Sequence, residues 1–105
     1  MPRPEPDVFY AISDRTRREI LEQLADQECT VSELAEPHHM SQPAISQHLR
    51  ILRDAALVSA EQRGRERYYR LQPGALRPVV NWLGFYERFW TSRLHKLKTH
   101  LDRLP

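Results

Sequence analysis

A chain of 105 residues with 40% hydrophobic and 29% charged residues has the make-up of one folded domain, residues 1–105, rather than of a disordered segment. No apolar run approaches the roughly 20 residues of a membrane span, and the opening MPRPEPDVFY lacks the apolar stretch of a signal peptide. A cytoplasmic protein without a membrane partner is expected. The single cysteine, Cys29, excludes an intrachain disulfide and a metal knuckle built from thiolates.

The formal net charge of +2 hides an uneven distribution. Residues 1–36 hold four Lys/Arg against nine Asp/Glu, a balance of −5; residues 37–70 hold six against three, +3; residues 71–105 hold six against two, +4. All cations of the middle segment are arginines, whose planar guanidinium suits two-pronged contact with phosphate or guanine. A solvated basic face gives the same count, so the placement of these residues on elements has to decide.

In chain order, EPDVFYAI sets Val8, Phe9 and Ile12 on one face of a short helix. Asp14 reads as the N-cap of RTRREILEQLA, where Ile20, Leu21 and Leu24 form an apolar stripe. TVSELAEPHHM opens with Thr30, whose hydroxyl caps while Glu33 completes a capping box, and Pro37 ends this third helix after one to two turns. Beyond a turn at His38, His39 and Met40, Ser41 is a further N-cap with Pro43 in the first turn. Ala44, Ile45, Leu49 and Leu52 then give a fourth helix its buried stripe, to about Ala55.

That stripe leaves Ser41, Gln42, Pro43, Ser46, Gln47, His48 and Arg50 at the start and along the other side of the fourth helix. These are acid-free positions whose side chains suit base edges and phosphates, glutamine pairing bidentately with adenine. A merely solvated helix face is the alternative. Next, LVSAEQRGRERYYRLQ changes to strand character: Val58 begins a run, Gly64 sits in a turn between Arg63 and Arg65, and RYYRL alternates aromatic and basic residues. A hairpin in this position behind a helix-turn-helix is a wing, and Arg63, Arg65 and Arg67 are its candidates for phosphate contact. Tyr68 or Tyr69 is expected to pack the hairpin on the core, and Arg67 and Arg70 serve equally well as cross-strand partners of Glu61 and Glu66.

From Pro78 onward Val79, Leu83, Tyr86, Trp90, Leu94, Leu97, Leu101 and Leu104 recur at steps of three or four, one seam along a helix over about 78–104, some 27 residues and roughly 40 Å long. Trp82, Phe85 and Phe89 broaden its near half, and Gly84 costs about 1 kcal/mol within it. One small domain has too little surface to bury such a rod. The expected homodimer interface joins Val8, Phe9 and Ile12 to Leu83, Tyr86, Trp90, Leu94, Leu97 and Leu101. A helix folded back on its own domain is the alternative.

The stretches ISDRTRREILEQL, SQPAISQHLRILRDAALV and RGRERYYRL, in this register and followed by the long terminal helix, closely resemble the arsenic-repressor (ArsR/SmtB) family of bacterial regulators; the first is similar to that family's "ladptRlriL". The resemblance spans nearly the whole chain. It implies a mainly helical winged helix-turn-helix of order α-α-α-α-β-β-α, a homodimer through the terminal helices, and repression at a double-stranded DNA operator, usually relieved by an effector. Metal-sensing members carry a Cys-Val-Cys pattern at the third helix, where this chain reads TVSEL with Thr30 and Ser32; a second type of site needs histidines on the terminal helix, but His95 and His100 lie about 140° apart around it. No metal or other cofactor is therefore expected, although His38, His39 and Cys29 are the residues to watch for a non-standard sensing site. The inducer is open: an organic molecule, a partner protein, or none. Neither a Gly-rich phosphate loop nor a His-Glu-x-x-His or Gly-x-Ser-x-Gly motif occurs, so no enzyme is expected. The competing reading is a winged-helix module that acts through a partner protein.

Overall fold

A computed structural model describes residues 7–89 and 95–104. Its helices begin where short polar side chains satisfy the free N–H groups of a first turn. The Asp7 carboxylate takes the Tyr10 N–H at 2.8 Å to open α1 (Val8–Ala11), and Asp14 takes the Arg17 N–H at 3.0 Å to open α2 (Arg15–Asp26). That backbone bond is the main reason the Asp14 carboxyl titrates below its ordinary range. Thr30 and Glu33 form the expected capping box at α3 (Val31–Ala35), and with Pro37 the chain tightens to a 3-10 turn over Glu36–His38. Ser41 opens α4 (Gln42–Asp54) by accepting the Ala44 N–H at 3.2 Å.

The hairpin is β2 (Val58–Arg63) against β3 (Glu66–Leu71), paired from Val58↔Leu71 to Arg63↔Glu66. A third strand, β1 (Cys29–Thr30), lies on the other side of β3 and gives an antiparallel sheet of order β1-β3-β2. Two residues are too few for any periodic signal, which is why the sequence announces only a hairpin. Ile20, Leu34, Ile45, Leu49, Leu52 and Leu57 are fully buried, and Leu24, Val58 and Tyr69 join them, with Val8 and Ala11 of α1 in the same core. Tyr69 is the tyrosine that packs the wing down; its neighbour Tyr68 is half-buried and bonds Glu66 Oε2 at 2.9 Å.

The chain leaves α4 by reversing sharply toward the sheet. The Leu57 N–H reaches back to the Leu52 carbonyl and the Ala56 N–H to that of Arg53, both at 2.9 Å, with Leu52 and Leu57 buried together beneath the cap. This pair of bonds demands a left-handed residue at position 56, a place usually filled by glycine, and Ala56 adopts φ 61° there. Its Cβ costs about 1 kcal/mol in that conformation. Ala56→Gly is accordingly expected to stabilise the fold by about 0.5–1 kcal/mol, read as a higher midpoint in urea at unchanged slope.

The single rod expected over 78–104 is interrupted. After a 3-10 turn at Pro73–Leu76, α5 (Arg77–Phe85) ends in a turn at Tyr86, followed by α6 (Glu87–Phe89) and α7 (His95–Asp102). The Tyr86 N–H bonds the Leu83 carbonyl at 3.0 Å and the Phe89 N–H that of Tyr86 at 2.9 Å, so three-residue spacing replaces the four-residue ladder just beyond Gly84, a weak helix former. Ala75, Leu76 and Val79 pack on the core, so the near end of this region belongs to its own domain. Leu97 falls within α7, whereas Trp90 and Leu94 lie outside the described residues.

Candidate nucleic-acid interface

With Ile45, Leu49 and Leu52 fixed in the core, α4 exposes Ser41, Gln42, Pro43, Ser46, Gln47 and Arg50. The Gln42 amide donates to the Ser32 hydroxyl at 2.9 Å, which ties the start of α4 to α3 across the turn between them. His48 takes a different place from the one its polarity suggests. It stands three residues from Ile45 and four from Ala44, at the margin of the buried stripe, and turns toward α2. Its Nδ1 accepts from the Arg17 guanidinium at 3.3 Å, with Asp14 Oδ2 4.0 Å away.

The two faces of the hairpin carry different chemistry, because side chains alternate along each strand. Val58, Ala60 and Gln62 oppose Leu71, Tyr69 and Arg67 on the inner face, toward α4. There Ser46, Arg50, Arg53 and Asp54 of α4 line a groove of roughly 450 Å³ with Arg67 and Tyr69 of β3. Arg53 was missed among the sequence candidates: it follows the buried Leu52 at the far end of the helix, and only the hairpin folding alongside makes it part of the groove. Asp54 adds an acid at that end, so the acid-free stretch runs from Ser41 to Arg53. Arg67 lies over the Tyr69 ring at 5.7 Å, not against Glu61 or Glu66.

Ser59, Glu61 and Arg63 oppose Arg70, Tyr68 and Glu66 on the outer face. Arg63 is engaged on three sides: both its terminal nitrogens donate to Glu28, at 2.5 and 3.0 Å, one of them also to Glu61 at 2.8 Å, and the guanidinium lies 4.7 Å from the Tyr68 ring centre. Arg70 donates to the same Glu28 carboxylate at 3.1 Å. These bonds, Arg63's first, hold the Glu28 and Glu61 carboxyls below the usual carboxylate range and push the Arg63 guanidinium further from deprotonation. The tip between the faces is Gly64, at φ 62°, and the exposed Arg65.

Away from this surface, α1 and α5 share a chain of aromatic rings: Phe9 to Trp82 at 5.9 Å, Trp82 to Tyr86 at 5.6 Å, Phe85 to Tyr86 at 5.0 Å and Tyr86 to Phe89 at 6.3 Å. Phe85 is 65% exposed and Trp82 52%, and Phe9, Tyr86 and Phe89 are exposed as well. Of the other residues of the expected interface, Val8 lies in the chain's own core, Ile12 and Leu83 are half-buried, and Leu101 on α7 is exposed.

The family model for bacterial regulatory proteins of the arsR family matches residues 14–60, from the cap of α2 into the wing. The transcriptional repressor SdpR of Bacillus subtilis is 42% identical over 77 residues, 73% of this chain and 86% of its own length. The chain belongs to the ArsR family. An HTH-type transcriptional regulator of Mycobacterium tuberculosis, Rv2034, is 42% identical over 90 residues, 85% of this chain and 81% of its own. Among solved structures, an ArsR-like transcriptional regulator from Rhodococcus sp. RHA1 superposes with a TM-score of 0.70 at 34% identity, over 93% of this chain and 90% of that one. This ArsR-family chain is thus a DNA-binding transcriptional regulator with a winged helix-turn-helix, and its family is one of regulators rather than enzymes. No helix among the described residues is long and apolar enough to cross a membrane.

Within this ArsR-family fold, Thr30 and Ser32 at the start of α3 are occupied with local bonds, Thr30 to Glu33 and Ser32 to Gln42. His38, which the sequence places in the turn, is nearly buried: Nε2 lies 2.7 Å from Gln23 Oε1 and Nδ1 3.3 Å from Glu19 Oε2, which fastens the turn to α2. His39 is exposed in a left-handed conformation, and burial pushes the Cys29 thiol up from its ordinary value. Among the described residues no group of three or more His, Cys, Asp or Glu side chains is arranged to hold a metal ion.

Proposed function

We propose that this ArsR-family chain represses transcription in the cytoplasm as a homodimer on an inverted-repeat operator. Gln42, Ser46 and Gln47 face base edges, and Arg50, Arg53, Arg65 and Arg67 meet phosphates. The observation that carries this reading is the groove in which Ser46, Arg50 and Arg53 of α4 converge with Arg67 of the wing's inner face. Three guanidiniums beside an exposed Ser/Gln helix face suit a duplex, whose backbone supplies the counter-charge while the helix reads base edges in the major groove. The names of SdpR and of the Mycobacterium regulator favour repression or regulation over a module that works only through a protein partner. The exposed aromatic chain on α1 and α5 supplies a face for a second copy, and two-fold symmetry would set two recognition helices about 34–36 Å apart on the DNA.

Selection of bound fragments from the source genome yields the operator, and two variants then divide readout from affinity. Gln47 is exposed, so Gln47→Ala is expected to lose about 1–3 kcal/mol on the operator and far less on random duplex. Arg65→Ala at the wing tip is expected to weaken both DNAs and to lower the slope of log affinity against log salt by about one. Equal losses for Gln47→Ala on the two sequences would remove it from the base-reading set, and salt-insensitive capture of a protein with no DNA binding would favour the interaction module.

A further inference from the structure

The wing carries four arginines, Arg63, Arg65, Arg67 and Arg70, and the structure treats them unequally. Alternation along the strands puts Arg67 on the inner face with α4, and Arg63 and Arg70 on the outer face, away from the groove. Both outer arginines converge on one carboxylate, Glu28, in the residue just before β1. Glu28 is two-thirds covered and takes three N–H donors, two from Arg63 and one from Arg70, so both its oxygens are in use. Glu61 also takes a bond from Arg63 and the Tyr68 ring lies against its guanidinium, while the Arg63 side chain stays 38% exposed and that of Arg70 61%.

We propose that Glu28 is a specificity-determining positioning residue, which withholds Arg63 and Arg70 from the DNA backbone and so confines the wing's phosphate contacts to Arg65 and Arg67. Sequence-independent affinity grows with each phosphate that an arginine neutralises, on operator and random DNA alike. An arginine that already shares a carboxylate releases no counterion when DNA arrives. Clamping two of four wing arginines therefore lowers the non-specific background without touching the helix that reads the bases. Glu28 directly precedes β1, which pairs with β3, so the same bonds link the body of the domain to both strands of the hairpin.

The inference rests on the wing meeting DNA, and the test separates the two. Glu28→Gln keeps the shape and removes the charge. It is expected to steepen the salt dependence on random duplex by about one to two in log–log slope, to raise random-DNA affinity at least about threefold at low salt, and to narrow the operator-to-random ratio. Glu66→Gln, at the wing tip and bonded to Tyr68, makes the same change in net charge without freeing an arginine, so its slope should stay near that of the native chain. Adding Arg63→Gln to Glu28→Gln should take back about one unit of the gained slope. Thermal melts of each variant check the fold. A Glu28→Gln slope equal to the native one, a rise matched by Glu66→Gln, or a loss of affinity on both DNAs would overturn the role of Glu28 while leaving DNA binding intact. Failure of the native chain to bind any duplex would overturn both readings.

Discussion

Phe85→Glu is expected to lower operator affinity about a hundredfold and to leave the fold of the single chain almost unchanged. Phe85 is 65% exposed, so within one chain a glutamate there meets mainly water. It sits, however, at one end of the ring chain that runs from Phe9 through Trp82 and Tyr86, with Arg88 lying 5.8 Å from its centre. A contiguous exposed patch of large aromatics is what a homodimer interface looks like before assembly. Burying a carboxylate in it, beside its two-fold copy, costs several kcal/mol. One recognition helix and one wing then have to hold DNA alone, and the affinity added by a second, linked half-site is lost. Size-exclusion chromatography with light scattering should show a monomer whose circular dichroism matches the native chain. A variant that remains dimeric with native operator affinity would mean that the aromatic chain serves something other than self-association.

The local architecture was legible wherever a single residue type performs a single local task. Asp14, Thr30 with Glu33, and Ser41 were readable as caps because each needs only a backbone N–H two or three residues away. The buried stripes of α2 and α4 were equally plain, since three- and four-residue spacing is a property of the helix itself. What escaped depends on neighbours distant in the chain. Arg63 reads as a free cation at a hairpin tip until Glu28, thirty-five positions earlier, is brought against it. His38 reads only as a turn residue and a sensing-site candidate until α2 presents Gln23 and Glu19. His48 reads with the polar face of α4 because its side chain is polar, whereas its angular position, close to Ile45 and Ala44, assigns it to the margin of the core. The seam of the terminal region kept its period through Tyr86, but hydrophobic spacing does not register the turn that follows Gly84.

The largest change in stability is expected at Arg17, a basic residue that the apolar pattern of α2 gives no reason to bury. It is 7% exposed. Its Nε donates to the Ala11 carbonyl at 2.7 Å, at the end of the short α1, and Nη2 to that of Tyr10 at 3.2 Å, which also accepts the Ser13 hydroxyl at 2.6 Å. Nη1 reaches His48 Nδ1 at 3.3 Å, and the Tyr10 ring lies 5.3 Å from the guanidinium carbon. One side chain thus joins the end of α1, the start of α2 and the buried margin of α4. Arg17→Ala takes the donor from the buried Ala11 carbonyl, leaves His48 without its Arg17 partner and opens a void, at a combined cost of about 3 kcal/mol. Arg17→Lys returns the charge but not the fork, since an ammonium cannot span α1 and His48 with fixed geometry, and should recover less than half of the loss. Urea unfolding measures both. The functional consequence follows from what α1 carries: with the Arg17 tie to the end of α1 removed, Phe9 is held less firmly against Trp82, and dimer formation should weaken along with stability. Arg17→Ala unfolding at the native urea midpoint, with native self-association, would show that the packing of Val8 and Ala11 alone fixes α1.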